Sequence, residues 1–577
     1  MLASYRDMKL TPISTSGSSD PVRGALVRSA AYFAIMLAVL SVPNESTITS
    51  WYFLSQDAVV GAAMLLLFVA AVRWSPTVGL PQKGPSSVAA SAVATVLALL
   101  LWWGTHAVMY DYPLTRDEAM VAFDGYSYGR GLLSHALPAE WCGFATALIP
   151  AFLLELPGHV LMVSSYGPVN AALRAGFGHI ADPALMNPLL AGAGLVLTWH
   201  LARRLFSDCA GAQWVVLACY VLSSQVAVNA MTHYAMTAHL VLNLAWLALF
   251  LRDRPWSHVA AIVIGVLAIG LHQVIFHPLF AGPFTLVLLA KRRYRVFAAY
   301  ALVYVAALAL WMSWPNIIVI ASGVAIDSAP EAGAGFFAER VLPLILERDP
   351  RTALLMFYNL VRAMTWNLAL ALPLILLALP AVRRRDGMAL PLVCGVALTL
   401  LTMAFLLPYQ GHGWGYRYLH PVLGSVFLLA GYGYRELANI DRPRAEGLAV
   451  MFAAVSLPLM AWLLLTTSSF VRPQAKLTEY IQQQNVDFAI VDAEFPYYAV
   501  DQVRNLPDLT NRPLVFASEK LTPSQMRTLC ARGTVMLIGR REFQAIGFVK
   551  FASTDSPLFT RRVRPIAGND CLVAPSI

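Results

Sequence analysis

Long runs of apolar side chains, broken by short clusters of charge, set the pattern of this chain. A helix that crosses a bilayer needs about 17–25 mostly apolar residues. Such runs fall near 25–43, 57–73, 88–109, 185–202, 211–229, 234–251, 258–275, 276–290, 296–316, 355–381, 387–408, 419–436 and 447–469. They predict an α-helical polytopic membrane protein with about thirteen transmembrane helices, the run at 276–290 being short. The apolar stretch 143–162 carries Glu155, Pro157 and His159. From Arg472 the pattern changes: helix-like stretches at 474–484 and 522–532 alternate with β-branched or apolar runs at 486–491, 514–517 and 534–538. That alternation predicts a small C-terminal α/β domain with a parallel sheet over 470–577. It contains no glycine-rich phosphate loop, which favours accessory packing or acceptor binding over nucleotide binding.

Composition agrees with the pattern. The 577 residues are 58% apolar and 13% charged with a mean hydropathy of +0.61, too little charged surface for a soluble protein of this size. The net charge of +9 does not point to nucleic acid, because the basic residues sit in short clusters between apolar runs, the signature of membrane orientation. Thirteen spans, with 143–162 left out, put 20 Lys or Arg residues on one side, in clusters such as Lys291–Arg295 and Arg383–Arg385, and seven on the other. Counting 143–162 as a span would destroy that asymmetry, so it is predicted to lie on the outer face. The tail 1–24 is then cytoplasmic and shows no cleavable signal pattern. Residues 25–469 form the membrane domain, and the loops 110–184, 317–354 and 409–418 lie outside with the C-terminal domain.

Six cysteines show no CxxC spacing, hence neither a zinc nor a redox motif. Cys209, Cys219 and Cys394 lie in or beside spans as packing residues, whereas Cys530 and Cys571 share the outer domain, where spacing alone does not decide whether they pair.

The candidate chemistry begins after the third apolar run, in Asp111-Tyr-Pro-Leu-Thr-Arg116-Asp117-Glu118 and its continuation Asp124 to Arg130. A carboxylate partly desolvated at a membrane surface gains basicity toward a substrate hydroxyl. The same residues also fit a capped helix start, with Thr115 or Asp117 as N-cap and Glu118 in the first turn. Four further segments fall on the same predicted face: Ser164-Ser-Tyr166-Gly-Pro168, Thr232-His233-Tyr234, His272-Gln-Val-Ile-Phe-His277-Pro278, and Gln410-Gly-His412-Gly-Trp-Gly-Tyr416-Arg417-Tyr418. The histidines and aromatics fit an interfacial belt equally well. Arg417 stands out, a sparse outer cation in a glycine-rich loop able to grip a phosphate with two parallel bonds.

Taken in order, these motifs resemble the GT-C superfamily of polytopic glycosyltransferases, particularly bacterial members similar to the family-39 type (protein mannosyltransferases and aminoarabinose transferases). The likeness spans roughly 88–440; where relatives often carry a double proline, this chain has Gly167-Pro168. The resemblance implies transfer of a sugar from a polyprenyl-phosphate donor to an unknown glycan, lipid or protein acceptor, at the outer face of a bacterial cytoplasmic (inner) membrane. It implies Asp117 as general base with Glu118 beside it, and Arg417, His412, Tyr416, Tyr418, His277 and His233 around the donor phosphate and lipid. Tyr166 and Asp124 would belong to the substrate loop. Direct displacement would invert the anomeric carbon; no cofactor is singled out, and a divalent metal stays open because no ligand spacing marks a site for one. Two other classes compete: a transporter or flippase of lipid-linked sugars, which the lack of a mid-span carboxylate disfavours, and a non-catalytic lipid-linked glycan-binding membrane protein.

Overall fold

The computed structural model describes residues 20–42, 48–148, 153, 161–323, 350–492, 499–547 and 557–574. Long helices dominate. They are α1 (Pro21–Leu40), α2 (Ile48–Arg73), α3 (Ser87–Ala107), α4 (Arg116–Tyr128), α5 (Val169–Gly178), α6 (Met186–Leu205), α7 (Ala210–Val221), α8 (Ser224–Ala230) and α9 (Met236–Arg252). There follow α10 (Pro255–Ile269), α11 (Phe276–Ala290), α12 (Tyr294–Met312), α13 (Thr352–Thr365), α14 (Ala371–Leu377), α15 (Ala389–Leu406), α16 (Leu423–Ile440) and α17 (Arg442–Gln482).

Seven described helices are long and apolar enough to cross a membrane, or eight if the bent pair α7–α8 is one span. The sequence pattern predicts thirteen. Part of the difference is length: α10 and α11 have 15 residues each, or about 22 Å at 1.5 Å per residue, short of an apolar slab about 30 Å thick. The bend of 48° between α7 and α8 falls where Ser223 caps α8, accepting from the Val226 N–H at 3.0 Å and donating to Asn367 Oδ1 at 2.6 Å.

The helices pack round one apolar core, α1 on α2, α3 on α6, α9 on α6 and α10, α16 on α7 and α14, and α11 on α15. At its centre Trp246 stacks on Phe250 with ring centroids 4.8 Å apart, and the Trp246 indole N–H donates to the Tyr304 hydroxyl at 2.7 Å.

α17 runs unbroken for 41 residues, so the boundary predicted at 470 falls inside a helix. Pro458 and Pro473 lie inside it without ending it. Its last turns bury Gln474, Leu477 and Ile481 on one face, at spacings of three and four, against the C-terminal region. There β3 (Phe488–Val491), β4 (Leu514–Ala517), β5 (Val535–Ile538) and β6 (Leu572–Val573) form a parallel sheet in the order β4-β3-β5-β6. A helix, Pro523–Arg532, leads into β5 and carries Cys530, which is disulfide-bonded to Cys571.

Most of the segment 143–162 lies outside the described residues. At its start Phe144 and Leu148, and at its end Met162, share one apolar cluster with Phe488 and Phe516 of the sheet. Its last residues form β2 (Leu161–Met162), paired antiparallel with β1 (His135–Ala136). The tail 1–24 lies outside the described residues up to 19, and α1 already begins at Pro21, capped by Asp20. Most of the loop 317–354 also lies outside them.

Candidate active site

α4 starts where Thr115 ends the extended approach. Its hydroxyl accepts from the Glu118 N–H at 3.4 Å, and Glu118 Oε2 accepts from the Thr115 N–H at 3.1 Å, a reciprocal capping box. Glu118 Oε1 accepts the His233 N–H at 3.1 Å, so this fully buried carboxyl fastens α4 to the α8–α9 junction. Burial pushes the Glu118 carboxyl up to about 7 against the pull of these bonds. The cap reading of the pair holds for Glu118, which builds the helix start, while Asp117 is turned the other way.

Asp117 is ion-paired with Arg417; side-chain exposure is 11% for one and 10% for the other. It also accepts the Tyr166 hydroxyl at 2.5 Å and lies 3.9 Å from His272 Nε2. Segments far apart in the chain thus meet at one carboxylate. Burial alone would raise the Asp117 carboxyl, but the Arg417 charge, then His272 and the Tyr166 bond, hold it below the ordinary carboxylate range. Burial brings His272 itself down to about 4, so it is neutral at pH 7 and Arg417 carries most of the effect.

Two features of the chain hold this arrangement. Val169 N–H donates to the Gly270 carbonyl at 3.1 Å, and a Cβ on Gly167 would lie 2.4 Å from that oxygen, so the Tyr166 turn docks on the α10–α11 turn only because residue 167 is glycine. A Cβ on Gly413 would lie 2.8 Å from Arg417 Cδ. Arg417 is otherwise held by Tyr418, whose hydroxyl accepts from Nη2 at 3.1 Å, and by the Gln410 side chain, which accepts from its backbone N–H at 2.9 Å. Its Nε is buried without a hydrogen-bond partner among the described residues. That donor, beside one already engaged by a carboxylate, is the pattern an oxyanion would complete.

The remaining residues divide. Asp124 and Tyr166 line a small pocket with Asp117, Tyr234 and His272, and burial raises the Asp124 carboxyl to about 7 against a bond from Ser164. Tyr418 is in the cluster, whereas Tyr416 is bound through its backbone to Gln225. The His412 ring stacks on Phe470 at 4.9 Å, and its carbonyl accepts the Tyr234 hydroxyl at 3.1 Å. His233 faces Asp111 at 3.0 Å and Arg174 at 2.9 Å, and acts on the site through its backbone. His277 is turned into the bundle, its ring nitrogens 2.8 Å from Asn243 Oδ1 and 3.0 Å from the Tyr304 hydroxyl. The histidine that reaches Asp117 is His272, on the turn between α10 and α11. Among the described residues no group of three or more His, Cys, Asp or Glu gathers as a metal site would need.

The sequence reading passes over Asp57 and Arg362. Arg362 is buried beneath the glycine-rich loop and donates to the Gly413 carbonyl. Asp57 accepts from Thr365 Oγ1 at 2.8 Å and the Trp366 indole at 3.2 Å, tying α2 to α13. It is the fourth residue of the candidate span Leu54–Arg73, near its end. The signal was available: a lone carboxylate opening an apolar run.

No family model matches the chain, and neither does any curated protein. Solved structures do. The crystal structure of ArnT from Cupriavidus metallidurans bound to undecaprenyl phosphate is similar over 80% of this chain and 88% of that chain, at 12% identity and a TM-score of 0.50. The apo ArnT structure covers 82% and 88% at 12% identity, with a TM-score of 0.44. The fold is thus that of a multi-spanning helical membrane protein. The particular architecture it shares is that of ArnT, and at this identity the likeness is one of fold.

Proposed function

We propose that the chain is a GT-C-type glycosyltransferase that moves a sugar from a polyprenyl-phosphate-linked donor to an acceptor at the extracytoplasmic face. The observation that carries the reading is the buried Asp117–Arg417 pair, on a fold shared with a protein that binds undecaprenyl phosphate. The acceptor hydroxyl gives its proton to Asp117 as its oxygen attacks the anomeric carbon. The bond from that carbon to the carrier phosphate breaks, and the phosphate leaves toward Arg417. Direct displacement inverts the centre.

The pair also suggests how the base is switched on. With a volume of about 10 Å³, the Asp117 pocket is too small for a sugar and must open. A donor phosphate competing for Arg417 would draw the cation from Asp117, leaving burial to dominate and raising the basicity of the carboxylate when the donor is in place. The Cys530–Cys571 disulfide supports an oxidising, extracytoplasmic setting for the C-terminal α/β region 470–577. Asp57 does not favour transport, since it lies near a span end and is hydrogen-bonded in place. The test is turnover by purified protein in detergent across a panel of polyprenyl-phosphate sugars. Release of polyprenyl phosphate with transfer of the sugar supports the reading; donor binding without release across the panel overturns it.

A further inference from the structure

α4 is a wall between two spaces. Asp117, Val121 and Asp124, four and three residues apart, line the pocket already described. Arg116, Ala119, Phe123 and Tyr126 recur at similar spacing on another face and line a second cleft of about 150 Å³. Its opposite wall is the segment 501–507, carrying Asp501, Arg504 and Leu506. The cleft therefore lies at the junction of the Asp117 helix with the C-terminal region, about one helix diameter (~10 Å) from the carboxylate.

The lining carries two guanidinium groups to one carboxylate. Arg116 Nε donates to Asp501 Oδ1 at 2.7 Å, which neutralises one pair. Among the described residues no carboxylate forms an ion pair with Arg504. Its Nε donates to the Asp501 carbonyl at 2.6 Å, its Nη2 to the Leu114 carbonyl at 3.3 Å, and its guanidinium lies 4.3 Å from the Tyr112 ring centre. Its Nη1 is buried and has no hydrogen-bond partner among the described residues. A buried charged donor left unmatched is costly, and an oxyanion is the group that matches it. Phe123 and Leu506 give the same cleft an apolar surface.

We propose that this cleft is a second anion-binding site, taking a phosphate or carboxylate carried on a partly apolar molecule, with Arg504 as its principal ligand. Combined with the transferase reading, on which this one clause rests, it anchors the acceptor by a group remote from the reacting hydroxyl. Asp501 is its built-in competitor, occupying Arg116.

The experiment is a calorimetric titration of the full-length protein in detergent with two phosphomonoesters, glucose 6-phosphate as a soluble probe and dihexanoyl phosphatidic acid as a lipid headgroup. Saturable binding of either supports the site, and which one binds identifies the source. Arg504→Gln should weaken that binding about tenfold or more, as expected for loss of a charge-assisted bond. Asp501→Asn should tighten it, because it removes the competing charge, an outcome a merely structural aspartate would not produce. Neither probe binding, affinity unchanged in Arg504→Gln, or affinity not increased in Asp501→Asn would overturn the proposal; if Arg504→Gln does not fold, the Asp501→Asn result decides alone. No donor is present in the titration, so failure of the transferase reading would leave this result standing, and the reverse.

Discussion

The Asp117 carboxylate and the Arg417 guanidinium, 300 residues apart in the chain, form one buried ion pair. Each is the other's nearest opposite charge, so each should change the other's behaviour when removed. Asp117→Asn should lower turnover by about 10²–10⁴-fold, the usual range for a general base. Donor affinity should hold or rise, since Arg417 is released. Steady-state kinetics and donor titration on the same preparation check both; a folded Asp117→Asn protein with normal turnover would move the base elsewhere.

Arg417→Ala should fail differently, losing donor affinity together with turnover. Arg417→Lys should recover part of each, because an ammonium supplies the charge without the planar fork. Equal donor affinity in wild type and Arg417→Ala would remove Arg417 from the phosphate site.

Tyr166→Phe removes the hydroxyl that donates to Asp117. That bond lowers the carboxyl, so its loss raises it. The acid limb of the pH profile of kcat/KM should move to higher pH, with the alkaline limb unchanged. An unmoved acid limb would mean that Asp117 is not the group whose ionisation it reports.

Glu118 gives a stability prediction of definite sign. Burial raises its carboxyl from 4.5 to about 7 in the folded protein, so its contribution is fully present below about pH 4.5 and is lost as pH rises through 7. Asp124, raised to about 7, acts in the same direction. Thermal unfolding in detergent should show Tm falling between pH 5 and pH 8, and less steeply in Glu118→Gln. Thr115→Ala should cost about 1 kcal/mol at either pH through the lost cap.

The Cys530–Cys571 bridge closes a sequence separation of 41 residues. Cys530→Ser with Cys571→Ser should destabilise the C-terminal region by about 2–4 kcal/mol, read as a lower unfolding midpoint matched by wild type under reductant. A reporter active only in the cytoplasm, fused after Ile577, should be silent, and a bright signal would reverse the assigned orientation.

Much of the architecture is carried by local pattern. Apolar runs long enough to span, the charge clusters between them, the Thr115-to-Glu118 cap and the β-branched runs at 514–517 and 535–538 are properties of neighbouring residues, and neighbouring residues determine them. The fold shared with ArnT was legible for a related reason: the resemblance that pointed to it rests on the order of short motifs. The continuity of α17 past 470 was not, because its last turns are held by burial of Leu477 and Ile481 against a sheet formed later in the chain.

Which side chains meet was decided only in three dimensions. Composition marks Asp117 and Glu118 as alike, and His272 and His277 as alike, yet a single residue step along the helix sends Glu118 to the α8–α9 junction and Asp117 to Arg417. One short segment sends His272 to the carboxylate and His277 to Asn243. The physical reason is that a side chain's direction depends on the backbone angle at its own residue, but its partner depends on the packing of helices hundreds of residues apart, which no local spacing encodes.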